Sequence, residues 1–98
     1  CAFCIDLHTK EALKQGETVQ RIVLLNAWKE TELFSEKEQT ILAMTEEITL
    51  ISQHGLSEKV YAQAEKLFSP HYIAQIIMAI VAINAWNRIS ISTKKTVQ

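Results

Sequence analysis

The sequence predicts an all-α fold of five helices, and three observations support that prediction. Apolar residues recur every three or four positions, as at Ile41, Met44, Ile48 and Ile51. No segment alternates apolar and polar residues with the period of two that a strand would show. The two Gly and the single Pro all fall where a helix is expected to begin or end. We place the helices at roughly 2–15, 18–29, 36–53, 58–67 and 70–91, with a frayed tail after Ser92.

The helix boundaries are indicated by residues that cap helices well. Gly16 and Gly55 suit the left-handed position just past a helix C-terminus. Three serines suit N-caps, the first having a glutamate three residues later and the last preceding a proline at the favoured first helical position. These serines are Ser35 (with Glu38), Ser57 and Ser69 (with Pro70).

The last predicted helix has no polar face over two turns, because residues 76–83 are all Ile, Met, Ala or Val. We therefore expect it to be buried on all sides. A membrane span needs about 20 apolar residues, and Gln75 and Asn84 interrupt this run well before that length. The sequence thus favours a central core helix or a subunit interface over membrane contact.

The composition predicts a single domain over residues 1–98, with 48% hydrophobic and 21% charged residues. Ten basic and eleven acidic residues are scattered without a basic cluster, which argues against a nucleic-acid-binding protein. So short a chain cannot bury all its apolar residues alone, and we expect a homo-oligomer. Because the chain begins inside a motif at Cys1, we also expect it to lack the N-terminal segment of a longer protein.

The segment from Cys1 to His8 carries most of the functional information. On a helix, Cys1, Cys4, Ile5, His8 and Ala12 share one stripe, which we expect to face the apolar side. Two cysteines three residues apart in a first helical turn can form a disulfide, and the helix N-terminus favours a thiolate. His8, one turn beyond Cys4, is placed to accept or relay a proton. The combination fits reversible thiol oxidation.

Two other interpretations of these residues stay open. The thiols and His8 could be inert core groups, or the three side chains could bind zinc. The remaining histidines, His54 and His71, are isolated, and no second CxxC motif exists. Covalent haem attachment needs a histidine directly after the second cysteine, where Ile5 stands, and a thioredoxin-like domain needs strands.

Several other polar and aromatic residues have a structural interpretation. We expect Asn84, Asn87 and Arg88 to cap carbonyls and to pair with a neighbouring helix or subunit. The two tryptophans, Trp28 and Trp86, are expected to be packing anchors. Two acidic residues are expected to lie on the surface, Glu46 and Glu47.

The segments CAFCIDLHTKEA, GETVQRIVLLNAWKET, FSEKEQTILAMTEEIT and AINAWNRISI resemble the carboxymuconolactone decarboxylase superfamily, in its alkylhydroperoxidase D (AhpD)-like branch. The resemblance implies that Cys4 is the peroxide-reactive thiol, Cys1 the proton donor and disulfide partner, and His8 the relay. It also implies a glutamate about three turns before Cys1, outside this sequence. AhpD has a histidine where this chain has Phe3.

The sequence therefore predicts an AhpD-like thiol-dependent oxidoreductase with catalytic residues Cys1, Cys4 and His8. By resemblance it reduces hydroperoxides, needs no cofactor or metal, assembles as a trimer or hexamer, and is re-reduced by a dithiol or lipoyl partner. We expect it in the cytoplasm, without nucleic-acid or membrane contacts. The alternatives are a cofactor-free carboxymuconolactone decarboxylase and a non-catalytic helical oligomer with a zinc or structural Cys/His site.

Overall fold

The computed structural model describes residues 1–98 and contains only helices, in agreement with the predicted fold class. Five α-helices and one 3-10 helix follow one another along the chain, and there is no strand. The elements are α1 (Ala2–Lys14), α2 (Val19–Val23), the 3-10 helix (Leu24–Glu30), α3 (Glu36–Thr49), α4 (Glu58–Leu67) and α5 (Pro70–Ser92).

The predicted caps are confirmed. Ser35 accepts a hydrogen bond from the backbone N–H of Glu38, whose carboxylate accepts one from the N–H of Ser35, so the capping box is complete. Ser57 caps α4, and Ser69 caps α5 with Pro70 as its first residue. Both glycines have the predicted positive φ, 95° at Gly16 and 71° at Gly55.

The second predicted helix, 18–29, is interrupted. Only Val19–Val23 is α-helical, and the chain continues as a 3-10 helix with non-helical angles at Ala27 (φ −119°, ψ 29°). Ala has the highest helix propensity, so its local preference does not cause this break. Tertiary contacts do, because the break lets Trp28 bury its ring and reach α3.

The third helix is shorter than predicted, ending at Thr49 rather than near residue 53. Residues 50–54 form turns before Gly55. The apolar spacing that suggested four further helical residues ends with Ile51, which is exposed.

The core lies where α3, α4 and α5 meet. Met44 is completely buried and packs with Ala64 and with a stripe of isoleucines on α5. That stripe has the three- and four-residue spacing of one helix face: Ile73, Ile76 and Ile80. The N-terminal half of α5 is therefore the part that anchors the fold.

The expectation that the last helix is buried on all sides is wrong for a single chain. Only the stripe above is buried, while Met78 (67% exposed), Val81 and Ile89 face outward. The reason is that α1, α3 and α4 contact α5 on only part of its circumference, and no element of this chain covers the rest. By length and composition alone α5 is also apolar enough to cross a membrane, a test that core helices of soluble proteins pass as well.

The C-terminal half of α5 is tied to α3 by one side-chain hydrogen bond, and further polar contacts lie within α5 itself. Asn84 donates hydrogen bonds to Thr49 Oγ1 and to the carbonyl of Ile80, each 3.0 Å long. Arg88 donates to the side chain and the carbonyl of Asn84. The structural interpretation of Asn84 and Arg88 is confirmed, whereas Trp86 is 63% exposed and is not a packing anchor within this chain.

Candidate active site

The two cysteines stand at the start of α1 and are joined by a disulfide. Cys1 occupies the N-cap position, and its Sγ accepts a 3.2 Å hydrogen bond from the backbone N–H of Cys4. Cys4 is buried, at 6% exposure, whereas Cys1 is half-buried. The disulfide therefore joins a buried cysteine to a partly exposed one.

The histidine follows one turn after Cys4, but its side chain is 55% exposed. Ile5, on the same stripe, is 67% exposed. The expectation that this stripe faces the apolar interior is thus wrong for Ile5 and His8 and right for Cys4. The physical reason is that α5 is the main neighbour of α1, so only part of the circumference of α1 is covered.

A charged partner of His8 lies on the same helix. The Nδ1 atom of His8 is 3.5 Å from Oε2 of Glu11, one turn further along. Glu11 was not among the residues predicted to belong to the site. The signal was present in the three-residue spacing, which brings side chains together on a helix surface.

The C-terminal tail returns to the beginning of α1. The ammonium group of Lys95 lies 4.8 Å from the centroid of the Phe3 ring, in a cation–π contact. Phe3 separates the two cysteines in sequence, so this contact brings a positive charge to the turn that holds the disulfide. The tail is nonhelical after Thr93, as expected, but Lys95 is held by this contact rather than frayed.

A second charged cluster, centred on Arg21, links α2 to α3. Its guanidinium pairs with Glu17 at 2.8 Å and with Glu38 at 2.6 Å, and it lies over the ring of Phe34. Hydrogen bonds from Arg21 and from the Ser35 N–H lower the pKa of Glu38 to about 2. The N–H of Thr18, and then Arg21, lower the pKa of Glu17, and the two carboxylates raise the pKa of Arg21.

A largely apolar cleft of about 190 Å³ opens beside this cluster, and none of its lining residues belongs to the cysteine site. This charged cluster was not predicted from the sequence. The four-residue spacing of Glu17 and Arg21 was visible, but the link to Glu38, seventeen residues beyond Arg21, needed the fold.

The two adjacent glutamates of α3 are not merely surface residues. Glu46 Oε1 accepts a 3.0 Å hydrogen bond from the indole N–H of the buried Trp28. Glu47 accepts hydrogen bonds from the N–H and hydroxyl of Ser57, at 2.7 and 3.3 Å. Neither carboxylate forms a hydrogen bond or ion pair with Cys1 or Cys4. Neither therefore replaces the glutamate that the family resemblance implies before Cys1.

The structure brings no three side chains of His, Cys, Asp or Glu together in an arrangement that could hold a metal ion. The isolated positions of His54 and His71 agree with the sequence, since each lies on an exposed surface. The two sulfurs that a zinc site would use are bonded to each other.

The fold and the site together define an all-helical protein with a CxxC disulfide at a helix start. Residues 1–47 match the carboxymuconolactone decarboxylase family. The crystal structure of an Agrobacterium tumefaciens protein of unknown function, described as a candidate antioxidant defence protein AhpD, superposes with a TM-score of 0.96 at 34% identity. That match covers all of this chain and 67% of the other.

The uncharacterised protein YdfG of Bacillus subtilis is 41% identical over 92 residues, which are 94% of this chain and 63% of the relative. The chain thus spans less than two thirds of the length of this curated relative. The chain belongs to the carboxymuconolactone decarboxylase family, and within that family to the AhpD-like branch.

Proposed function

We propose that this protein is a thiol-dependent oxidoreductase that reduces hydroperoxides through the Cys1–Cys4 couple. The observation that carries the proposal is the disulfide itself, formed between a shielded and an accessible cysteine at the start of a helix. A helix N-terminus stabilises a thiolate, and a thiolate is the reactive form of cysteine.

In the first step, which reduces the peroxide and oxidises the enzyme, the Cys4 thiolate attacks a peroxide oxygen. The O–O bond breaks, Cys4 becomes a sulfenic acid, and the leaving alkoxide takes a proton to give the alcohol. His8 is the base that takes the Cys4 proton and supplies it to the alkoxide. The Cys1 thiol then condenses with the sulfenic acid, forming the disulfide and releasing water.

Re-reduction needs a dithiol, which we propose to be a partner protein or a lipoyl group. Its thiolate attacks the sulfur of Cys1, the less buried of the two residues, and Cys4 leaves as the thiolate. The partner's second thiol then resolves the mixed disulfide, so two electrons pass from the partner to the enzyme. A dithiol that must be renewed in every cycle belongs in a reducing compartment, and we place the protein in the cytoplasm.

Purified protein with dithiothreitol as reductant tests the proposal. Replacing Cys4 by serine should abolish turnover of an alkyl hydroperoxide. With no reductant present, the Cys1→Ser variant should undergo one round of Cys4 oxidation that ends at the sulfenic acid and forms no intramolecular disulfide. Because the chain has only these two cysteines, thiol titration counts both directly. Full turnover in the Cys4→Ser variant would overturn the proposal.

A decarboxylase is the second candidate, favoured by the match of residues 1–47 to a family that carries this name. Such a reaction needs no dithiol. Activity on a carboxymuconolactone that persists after both cysteines are replaced would support it, whereas no activity on that substrate would remove it.

We also propose that the functional form is a homo-oligomer in which a second copy covers the outward face of α5. Large apolar residues stand exposed there over several turns: Met78, Val81, Trp86 and Ile89. A soluble monomer seldom leaves so continuous an apolar surface uncovered.

A further inference from the structure

Glu11 has one charged neighbour in the structure, and it is His8. The 3.5 Å separation of His8 Nδ1 and Glu11 Oε2 is longer than a typical hydrogen bond but within ion-pair distance. Hydrogen bonds at catalytic groups are often long in a resting enzyme and shorten when the reaction proceeds. The other imidazole nitrogen, Nε2, forms no hydrogen bond or ion pair with another side chain.

The other acidic side chain of α1, Asp6, already has a cationic partner. Asp6 accepts a 2.9 Å ion-paired hydrogen bond from Lys10, four residues later. Glu11 pairs with no lysine or arginine, so its negative charge is available to the imidazole ring. Of the two carboxylates that flank His8 in sequence, Glu11 therefore lies near the imidazole ring, whereas Asp6 is paired with Lys10.

We propose that Glu11 is a positioning residue for His8, an inference that rests on the function proposed above. By attracting the Nδ1–H, the carboxylate favours the tautomer whose Nε2 is free to accept the Cys4 proton. When the proton moves from the Cys4 thiol to Nε2, the imidazole becomes a cation beside the Glu11 carboxylate. The proton then passes to the alkoxide, and His8 returns to its neutral form facing Glu11.

The effect should be modest, since both side chains are more than half exposed. Exposed ion pairs contribute only a small free energy, which corresponds to a rate change of roughly two- to five-fold. The contribution should shrink as salt is added, because exposed charges are screened.

The kinetic test measures peroxide-driven disulfide formation in the fully reduced protein at low and high ionic strength. We expect Glu11→Gln to slow it roughly two- to five-fold at low salt, with the difference narrowing at high salt. The matched control is Asp6→Asn, which removes the same charge from the same helix but from a carboxylate that pairs with Lys10. Equal rates for Glu11→Gln and wild type at low salt would overturn the proposal.

A spectroscopic test does not depend on turnover. Nitrogen-15 spectra of the His8 ring report the share of the neutral imidazole that carries its proton on Nδ1. We expect that share to fall in Glu11→Ala and to stay unchanged in Asp6→Asn, and an unchanged share in Glu11→Ala would contradict the inference.

The two proposals can fail separately. Turnover that requires Cys4 but is insensitive to Glu11 would leave the redox function standing and remove the role of Glu11. Turnover that persists in Cys4→Ser would remove the redox function, and the ring spectra would still decide whether Glu11 sets the tautomer of His8.

Discussion

Arg21 and Glu38 form a two-pronged ion pair between α2 and α3, with Nη2–Oε2 and Nη1–Oε1 distances of 2.6 and 3.3 Å. Planar guanidinium and carboxylate groups match in this geometry, which fixes orientation as well as distance. The short α2 has only five residues and would not persist alone. The pair therefore holds the segment that leads from α1 to the buried Trp28.

Glu38 should make stability depend on pH in the acid range. Its folded pKa, about 2, lies below its ordinary value of 4.5, so the unfolded chain binds the proton more readily. The stabilisation is complete above the ordinary pKa and is lost as pH falls from there toward about 2. We expect Glu38→Gln to lower the free energy of unfolding at neutral pH and to flatten its dependence across that window, as measured by urea unfolding. The control is Glu32→Gln, since Glu32 forms no ion pair, and parallel curves for the two variants would contradict the prediction.

Met44 should be the most costly core residue to truncate. It is completely buried at the junction of α3, α4 and α5. Met44→Ala removes buried apolar atoms and leaves a cavity, so we expect a loss of roughly 2–5 kcal/mol in the free energy of unfolding. Met78→Ala provides the comparison within the same residue type, because Met78 is 67% exposed in the single chain. Similar losses for the two variants, measured on monomeric protein, would show that the core is placed wrongly.

Reduction of the disulfide should leave the fold intact. The bond closes a loop between residues only three apart, and the chain-entropy estimate for so small a loop is at most about 2 kcal/mol. We expect circular dichroism to show the same helix content with and without dithiothreitol, with a modest fall in the unfolding temperature. The variant with both cysteines replaced by serine should match the reduced protein and not respond to the reductant. Loss of helical signal on reduction would contradict a reversible redox role.

Charge placed on the outward face of α5 should disrupt the proposed assembly. We expect Met78→Glu to shift the protein toward the monomer, because an ionised carboxylate is costly to bury against apolar residues. Light scattering coupled to size-exclusion chromatography measures the mass. Lys66→Glu, on the exposed side of α4, gives the control. An assembly of unchanged mass in Met78→Glu would place the interface elsewhere.

Helix starts were the most predictable part of the fold, since they depend on local hydrogen bonds. Ser35, Ser57 and Ser69 each cap the helix that the sequence indicated. The break at Ala27 was not predictable, because a single poor helix former, Asn26, does not by itself interrupt a helix and Trp28 is bonded to Glu46, eighteen residues later. Local signals place helix boundaries, while distant contacts decide where a helix is interrupted.

The candidate site was predictable in its residues but not in its surroundings. The spacing of Cys1, Cys4 and His8 places them along one helix face whatever that face touches. Which of them is covered depends on how α5 crosses α1, and that crossing buries Cys4 while leaving His8 open. The Lys95 contact with Phe3 joins opposite ends of the chain, and no sequence pattern marks such a pair.

The hydrogen bond from the Cys4 amide to Cys1 Sγ links the oxidation state of the cysteine pair to the environment of a backbone amide proton. The same sulfur that gains or loses electrons also shields one amide proton of the first helical turn. A change in oxidation state must therefore alter the environment of that proton, even if no other part of the chain responds. The chain thus carries an internal reporter of its own oxidation state that needs no attached label.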